Sequence, residues 1–83
     1  MDRKAEALLA REKVIGSRQI MRGFRDGQIR CVLIAEDAEE HIKLELVSQC
    51  RLAGVEAVFV PSKEELGRAA GIDVASAAVG IIG

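Results

Sequence analysis

Residues 16–27 read Gly-Ser-Arg-Gln-Ile-Met-Arg-Gly-Phe-Arg-Asp-Gly. Gly16 opens the segment, and Ser17 is suited to cap a helix. Backbone N–H groups at such a helix start point outward and suit an anion. Arg18 and Gln19 fall on the first turn. A glutamine amide offers a donor and an acceptor in fixed geometry, which fits the edge of a base. An arginine guanidinium is the preferred bidentate partner of guanine. Arg22 lies one turn beyond Arg18 and suits a phosphate. Arg25 follows, and spacings of four and three put all three arginines on one helix face. A capped amphipathic helix with solvated arginines describes the same residues equally well.

No other constellation points to chemistry. His41 stands beside Glu39 and Glu40 at the start of a charged helix and reads as a surface residue; a metal needs more ligands nearby. Cys31 and Cys50 lie in apolar patterns, and no CxxC occurs. They read as small buried hydrophobes in a reducing compartment. Gly67 and Gly71 follow a helix, not a strand, so they form no dinucleotide fingerprint, and a Gly-x-x-x-x-Gly-Lys phosphate loop is absent. Glu36-Asp37 is an acid pair after a strand, but a helix cap plus a surface acid explains it more simply. No catalytic residue, metal site or cofactor is expected, and the chain reads as a non-enzyme.

The elements that must hold the 16–27 segment come from a chain of 83 residues, sized for one domain over 1–83. Hydrophobic residues make up 49%, enough for one core, and charged residues 30%, enough to cover it. No stretch approaches the roughly 18 apolar residues of a membrane span. Met1-Asp2-Arg3-Lys4 leads into a charged amphipathic segment, unlike a signal peptide. A cytoplasmic monomer is expected, with no membrane partner. Net charge is −1, which alone argues against a polyanion partner. Its distribution differs: residues 1–30 hold eight of the twelve Lys/Arg against four acids, and residues 31–83 hold four against nine. Such asymmetry can place a positive patch on a neutral protein. Phe24 and Phe59 are the only aromatic residues. Stacking of single-stranded bases needs exposed rings, so an RNA partner would be read through shape, phosphates and base edges.

Ala5, Leu8 and Leu9 predict a first helix over 3–12. Val14-Ile15 is a short extended piece. The second helix buries Ile20, Met21 and Phe24 and ends at Asp26-Gly27. Residues 30–35 form an apolar run suited to a strand buried on both faces. Asp37, with Glu40 three residues on, is expected to cap a third helix running to Ala53. Val55–Val60 predicts a second buried strand. Ser62-x-x-Glu65 is a capping box for a short helix to Ala70. Ile72-Asp73-Val74-Ala75 reads as an exposed apolar loop, and 77–82 as a last strand. This alternation gives an α/β fold, a central sheet with helices on both faces.

Three blocks together carry a resemblance: Gly16, Arg22 and Gly27 at their spacing; Val-Leu-Ile-Ala-Glu-Asp (32–37); and Val-Pro-Ser-Lys-x-x-Leu-Gly-x-Ala-x-Gly (60–71), followed by Val74-Ala75 and a strand of small residues. Over roughly residues 5–83 the chain resembles the kink-turn-binding ribosomal proteins of the L-seven-Ae and L-thirty-e type and their small bacterial homologues. The resemblance implies a three-layer α-β-α sandwich with a mixed sheet of about four strands. It implies binding to kink-turns, sharply bent duplexes with tandem sheared G·A pairs, in ribosomal or another non-coding RNA, with a ribosome association. It implies RNA contacts at Gly16, Ser17, Arg18, Gln19 and Arg22, with Glu36 orienting the basic groups, and at Ile72, Asp73, Val74 and Ala75 against the bulge. Arg18-Gln19 stands where archaeal members usually have Asn-Glu, Arg22 replaces Lys, Ile20 replaces Thr, and Asp26-Gly27 replaces Arg-Gly. The alternative is a protein-interaction module on the same fold, RNA binding weakened or lost, with acidic residues 36–45 as the contact.

Overall fold

The computed structural model describes all 83 residues. Asp2 starts the first helix: its carboxylate accepts the Ala5 N–H at 2.9 Å, and α1 runs Arg3–Leu9. It is shorter than the expected 3–12. Ala10 and Arg11 donate to carbonyls three residues back, a tightened last turn that frees the chain to extend. Then follow β1 (Lys13–Ile15), α2 (Ser17–Arg25), β2 (Cys31–Ala35), α3 (Glu40–Ala53), β3 (Glu56–Val60), α4 (Lys63–Ala69) and β4 (Ala78–Ile81).

The sheet order is β1-β4-β2-β3. β2 and β3 are parallel, and β4 runs antiparallel to both β1 and β2. β2 therefore lies inside the sheet, and all five of its residues are buried, as an unbroken apolar run requires. Its side chains alternate between two cores. Cys31, Leu33 and Ala35 join Ala5 and Leu9 of α1 and Leu66 of α4. Val32 and Ile34 join Ile20 of α2 and Leu46 and Cys50 of α3. The architecture is a three-layer α-β-α sandwich, with α1 and α4 on one face and α2 and α3 on the other. No helix is long and apolar enough to cross a membrane.

Three expectations are corrected. β3 is not buried along its length: it is the outer strand, Val60 alone is buried, and Phe59 is 48% exposed. Asp37 does not cap α3, whose N-cap is Glu39 with no side-chain bond. Asp37 instead accepts the N–H of Lys63, the first residue of α4, at 2.8 Å. The 62–65 capping box is half made. Ser62 Oγ accepts the Glu65 N–H at 3.1 Å, but Glu65 Oε2 is buried without a partner.

The registers pair Ile15 with Val79, Ile34 with Ala78 and Ala35 with Val60. β1, β2 and β3 thus end, and β4 begins, at one edge of the sheet. The residues that follow or precede them meet there.

Candidate nucleic-acid interface

Helix α2 starts at that edge. Its N-cap is Gly16, not Ser17, with φ +90° and ψ 153°, a conformation that favours glycine. Ser17 is the first helical residue, and no side chain caps the helix. The Ser17, Arg18 and Gln19 N–H groups take no acceptor from the protein, and the first turn holds no acid. These orphan donors carry the positive end of the helix dipole.

Packing fixes the roll of α2. Ile20 and Gly23 are buried, while Met21 and Phe24 are half-buried. Gly23 and Gly80 leave room for this: a Cβ on Gly23 would meet Ile29 Cδ1 at 2.6 Å, and one on Gly80 would meet Ile20 Cγ1 at 3.0 Å. Arg18, Gln19, Arg22 and Arg25 are thereby turned to solvent. No carboxylate lies within ion-pair distance of these arginines. Among the basic residues of 1–30, Lys4 alone is paired, with Glu56 at 2.6 Å. Ile20, where the resemblance expects Thr, faces the core and not the exposed surface.

The 72–75 loop is positioned by α4. The Ile72 N–H donates to the Gly67 carbonyl at 3.1 Å, and the Ser76 N–H to the Lys63 carbonyl at 3.0 Å. Gly67 is required by this approach, because a Cβ there would overlap the Val74 carbonyl oxygen. Val74 is 69% exposed; Asp73 and Ala75 are also exposed, and Ile72 is half-buried. The buried Ser76 hydroxyl donates to the Ala78 carbonyl at 2.8 Å. The Gly16 N–H donates to the same oxygen at 3.1 Å. Helix tip and loop are therefore fastened to one atom.

Glu36 follows β2 on the same edge, two strand spacings or about 10 Å from the end of β1. Its N–H donates to the Val60 carbonyl at 2.8 Å, and its carbonyl accepts Lys43 Nζ at 2.9 Å. Its side chain lines a recess with Asp2 and Phe59 on the β3 side. It makes no ion pair with Arg18 or Arg22. The structure thus brings Gly16–Gln19 and the 72–75 loop together, with Arg22 one turn down and Glu36 apart.

Both thiols are free and buried. Burial first, and then Cys31, pushes the Cys50 thiol up to about 11, and burial also raises Cys31. Neither has the depressed ionisation of a nucleophile. No group of three or more His, Cys, Asp or Glu side chains gathers as a metal site would require.

The sequence profile of the Ribosomal protein L7Ae/L30e/S12e/Gadd45 family matches residues 2–83. The chain belongs to this family. It is 36% identical over 73 residues to an RNA-binding protein of Caldanaerobacter subterraneus subsp. tengcongensis, spanning 87% of this chain and 89% of that one. It is 37% identical over 68 residues to the large ribosomal subunit protein eL8 of Nitrosopumilus maritimus, spanning 81% of this chain and 53% of that one. A solved structure, the Giardia lamblia 15.5kD RNA binding protein, matches with TM-score 0.82 and 28% identity over 95% of this chain and 68% of that one. These relatives of the L7Ae-family chain are named for RNA or the ribosome.

Three positioning residues of this L7Ae-family chain escape a reading of the sequence. Asp37 bonds across the fold to Lys63, and Ser76 holds the Ala78 carbonyl, two residues on, that Gly16 reaches from the other end of the chain. Gly67 stands in the Leu-Gly pair of the 60–71 block, but its role as the seat of the loop needs the tertiary approach of Val74.

Proposed function

We propose that this protein binds structured RNA at a kink-turn and stabilises the bent form, as a non-catalytic component of a ribonucleoprotein in the cytoplasm. The observation that carries this is the shared Ala78 carbonyl, which joins an uncapped, cationic helix tip to an exposed apolar loop. Family membership and relatives named for RNA binding support the RNA half. The sheared G·A preference follows from side-chain chemistry. Arg18 and Gln19 read guanine edges, each good bidentate contact contributing about 1–3 kcal/mol of discrimination. The free N–H groups at Ser17–Gln19 and the Arg22 guanidinium meet phosphate. Ile72 and Val74 pack against an extruded nucleotide, flanked by Asp73 and Ala75.

A kink-turn interconverts between straight and bent forms. A rigid surface that touches only the bent one shifts the balance by its differential affinity. The partner is ribosomal RNA or another folded non-coding RNA. Titration of a kink-turn duplex, beside a control with its G·A pairs disrupted, tests this. Wild type is expected to prefer the intact motif; Gln19→Ala erases that preference, and Arg22→Ala weakens binding to both RNAs. Equal affinity of the wild type for the two RNAs would sink the kink-turn assignment. No binding to either would leave the protein-contact role.

A further inference from the structure

β3 is the outer strand of the sheet, and no strand pairs with its far side. The Val60 carbonyl accepts the Glu36 N–H at 2.8 Å, so Val60 turns its main-chain groups towards β2. Alternation along a strand then turns those of Ala57 and Phe59 outward. Neither residue bonds to main chain outside the sheet. An open edge of this kind is a template for another strand. Its one charged residue, Glu56, is engaged by Lys4.

At the end of β3 lies a recess of about 500 Å³, lined by Ala5, Phe59, Val60 and Pro61 together with Asp2 and Glu36. It opens at the carboxyl ends of the parallel pair β2 and β3, where α/β sheets take their ligands. Its two acids lack a cation. Asp2 gives one oxygen, Oδ1, to the Ala5 N–H and keeps the other free. Lys43 Nζ reaches the Glu36 carbonyl but pairs with Glu40, not with the Glu36 carboxylate. Neither Asp2 nor Glu36 forms an ion pair.

Charge selects the occupant. Two unneutralised carboxylates repel a phosphate backbone, so the exposed Phe59 ring is no platform for RNA. They attract a Lys or Arg side chain, whose stem packs on apolar lining and whose head favours an aromatic face. The outward main-chain groups of β3 match an extended peptide, which a free amine cannot satisfy. A second copy of the chain would bring the same acidic edge and no cation. We infer that β3 and this recess form a docking site for an extended segment of a protein partner. The segment adds as a strand beside β3 and sets a Lys or Arg side chain among Asp2, Glu36 and the Phe59 ring. The site lies three strand spacings, about 14 Å, from the end of β1. It therefore stays open while the α2 tip is occupied, and it stands independently of the RNA reading above.

The test pans a library of short random peptides on immobilised wild type. Enriched peptides are expected to carry a Lys or Arg flanked by β-branched residues. In NMR titrations they should shift the amides of residues 57–60 and Glu36 and leave Arg18–Arg25 in place. Glu36 is exposed, and circular dichroism should show Glu36→Gln folded. That variant should bind the peptides about tenfold more weakly, the loss of one charge-assisted hydrogen bond. N-methylation of alternate peptide amides should abolish binding. No enrichment, enrichment of acidic or wholly apolar peptides, shifts on α2, or affinity unchanged by Glu36→Gln or by N-methylation would overturn the inference. So would a kink-turn duplex that shifts residues 57–60, which would give the edge to RNA. Concentration-dependent sedimentation that Phe59→Lys removes would give it to a second copy and overturn the inference equally. If the kink-turn titration fails, the peptide readout is unaffected.

Discussion

Gly16 and Ser76 share one acceptor: the Gly16 N–H at 3.1 Å and the Ser76 hydroxyl at 2.8 Å both donate to the Ala78 carbonyl. Sixty residues apart in sequence, they fix the start of α2 and the end of the 72–75 loop to the first residue of β4. Both elements inherit the rigidity of the sheet.

Ser76→Ala removes one of these two donors. The carbonyl keeps the Gly16 N–H, so the expected loss is that of one net hydrogen bond, about 1 kcal/mol. A urea titration reads the loss. Amide exchange is expected to quicken at residues 72–76 and to stay unchanged at the α2 tip.

Gly67→Ala sets two effects against each other. Alanine favours the α4 helix by roughly 1 kcal/mol. Its Cβ would overlap the Val74 carbonyl oxygen, which is backbone and cannot rotate away. Overpacking of this kind costs about 1–3 kcal/mol, so the clash wins. The expected result is a lower unfolding midpoint, NMR shifts displaced at 72–76, and weaker RNA binding with Arg18 and Gln19 untouched.

Asp37 and Ser62 cap the same helix at different donors, Lys63 N–H and Glu65 N–H. Asp37→Ala is expected to cost about 1 kcal/mol, the usual value of a cap, and Asp37→Asn less because an acceptor remains. The double variant Asp37→Ala, Ser62→Ala should lose close to the sum, measured as a double-mutant cycle in urea.

The thiols set an alkaline limit. Cys50 is pushed up to about 11 from the usual 9.0, and Cys31 is raised too, burial being the first cause in each. Unfolded thiols shed protons above pH 9 that folded ones keep, so this contribution is full below pH 9 and lost as pH climbs towards 11. Unfolding midpoints should fall over that range, with no tyrosine to confound the slope, and Cys50→Ala should flatten the decline. Iodoacetamide at pH 8 should label both cysteines in urea and neither in the folded protein.

Features set by neighbours in sequence were legible. The run Cys31–Ala35 announces an inner strand because burial on both faces leaves no room for alternation. Ser62 announces α4 because its cap partner is three residues away. Val55–Val60 looked the same as an inner strand, yet strand order is a tertiary fact, and β3 fell at the rim with Phe59 in solvent. Asp37 sat at a plausible cap position for α3, but its acceptor turned to Lys63, 26 residues on. In the candidate site, the exposed arginines of α2 followed from helical spacing. The loop's seat on Gly67 and the acceptor that Ser76 shares with Gly16 did not, because the first needs Val74 packed on α4 and the second needs Gly16 to reach β4.

Both ends of the 72–75 segment are tied by main-chain amides, Ile72 to the Gly67 carbonyl and Ser76 to the Lys63 carbonyl. The anchors are indifferent to the side chains of Asp73, Val74 and Ala75. Those positions form a cassette that can be swapped without re-engineering the scaffold, so grafting a foreign three-residue sequence there is a direct route to retargeting the surface.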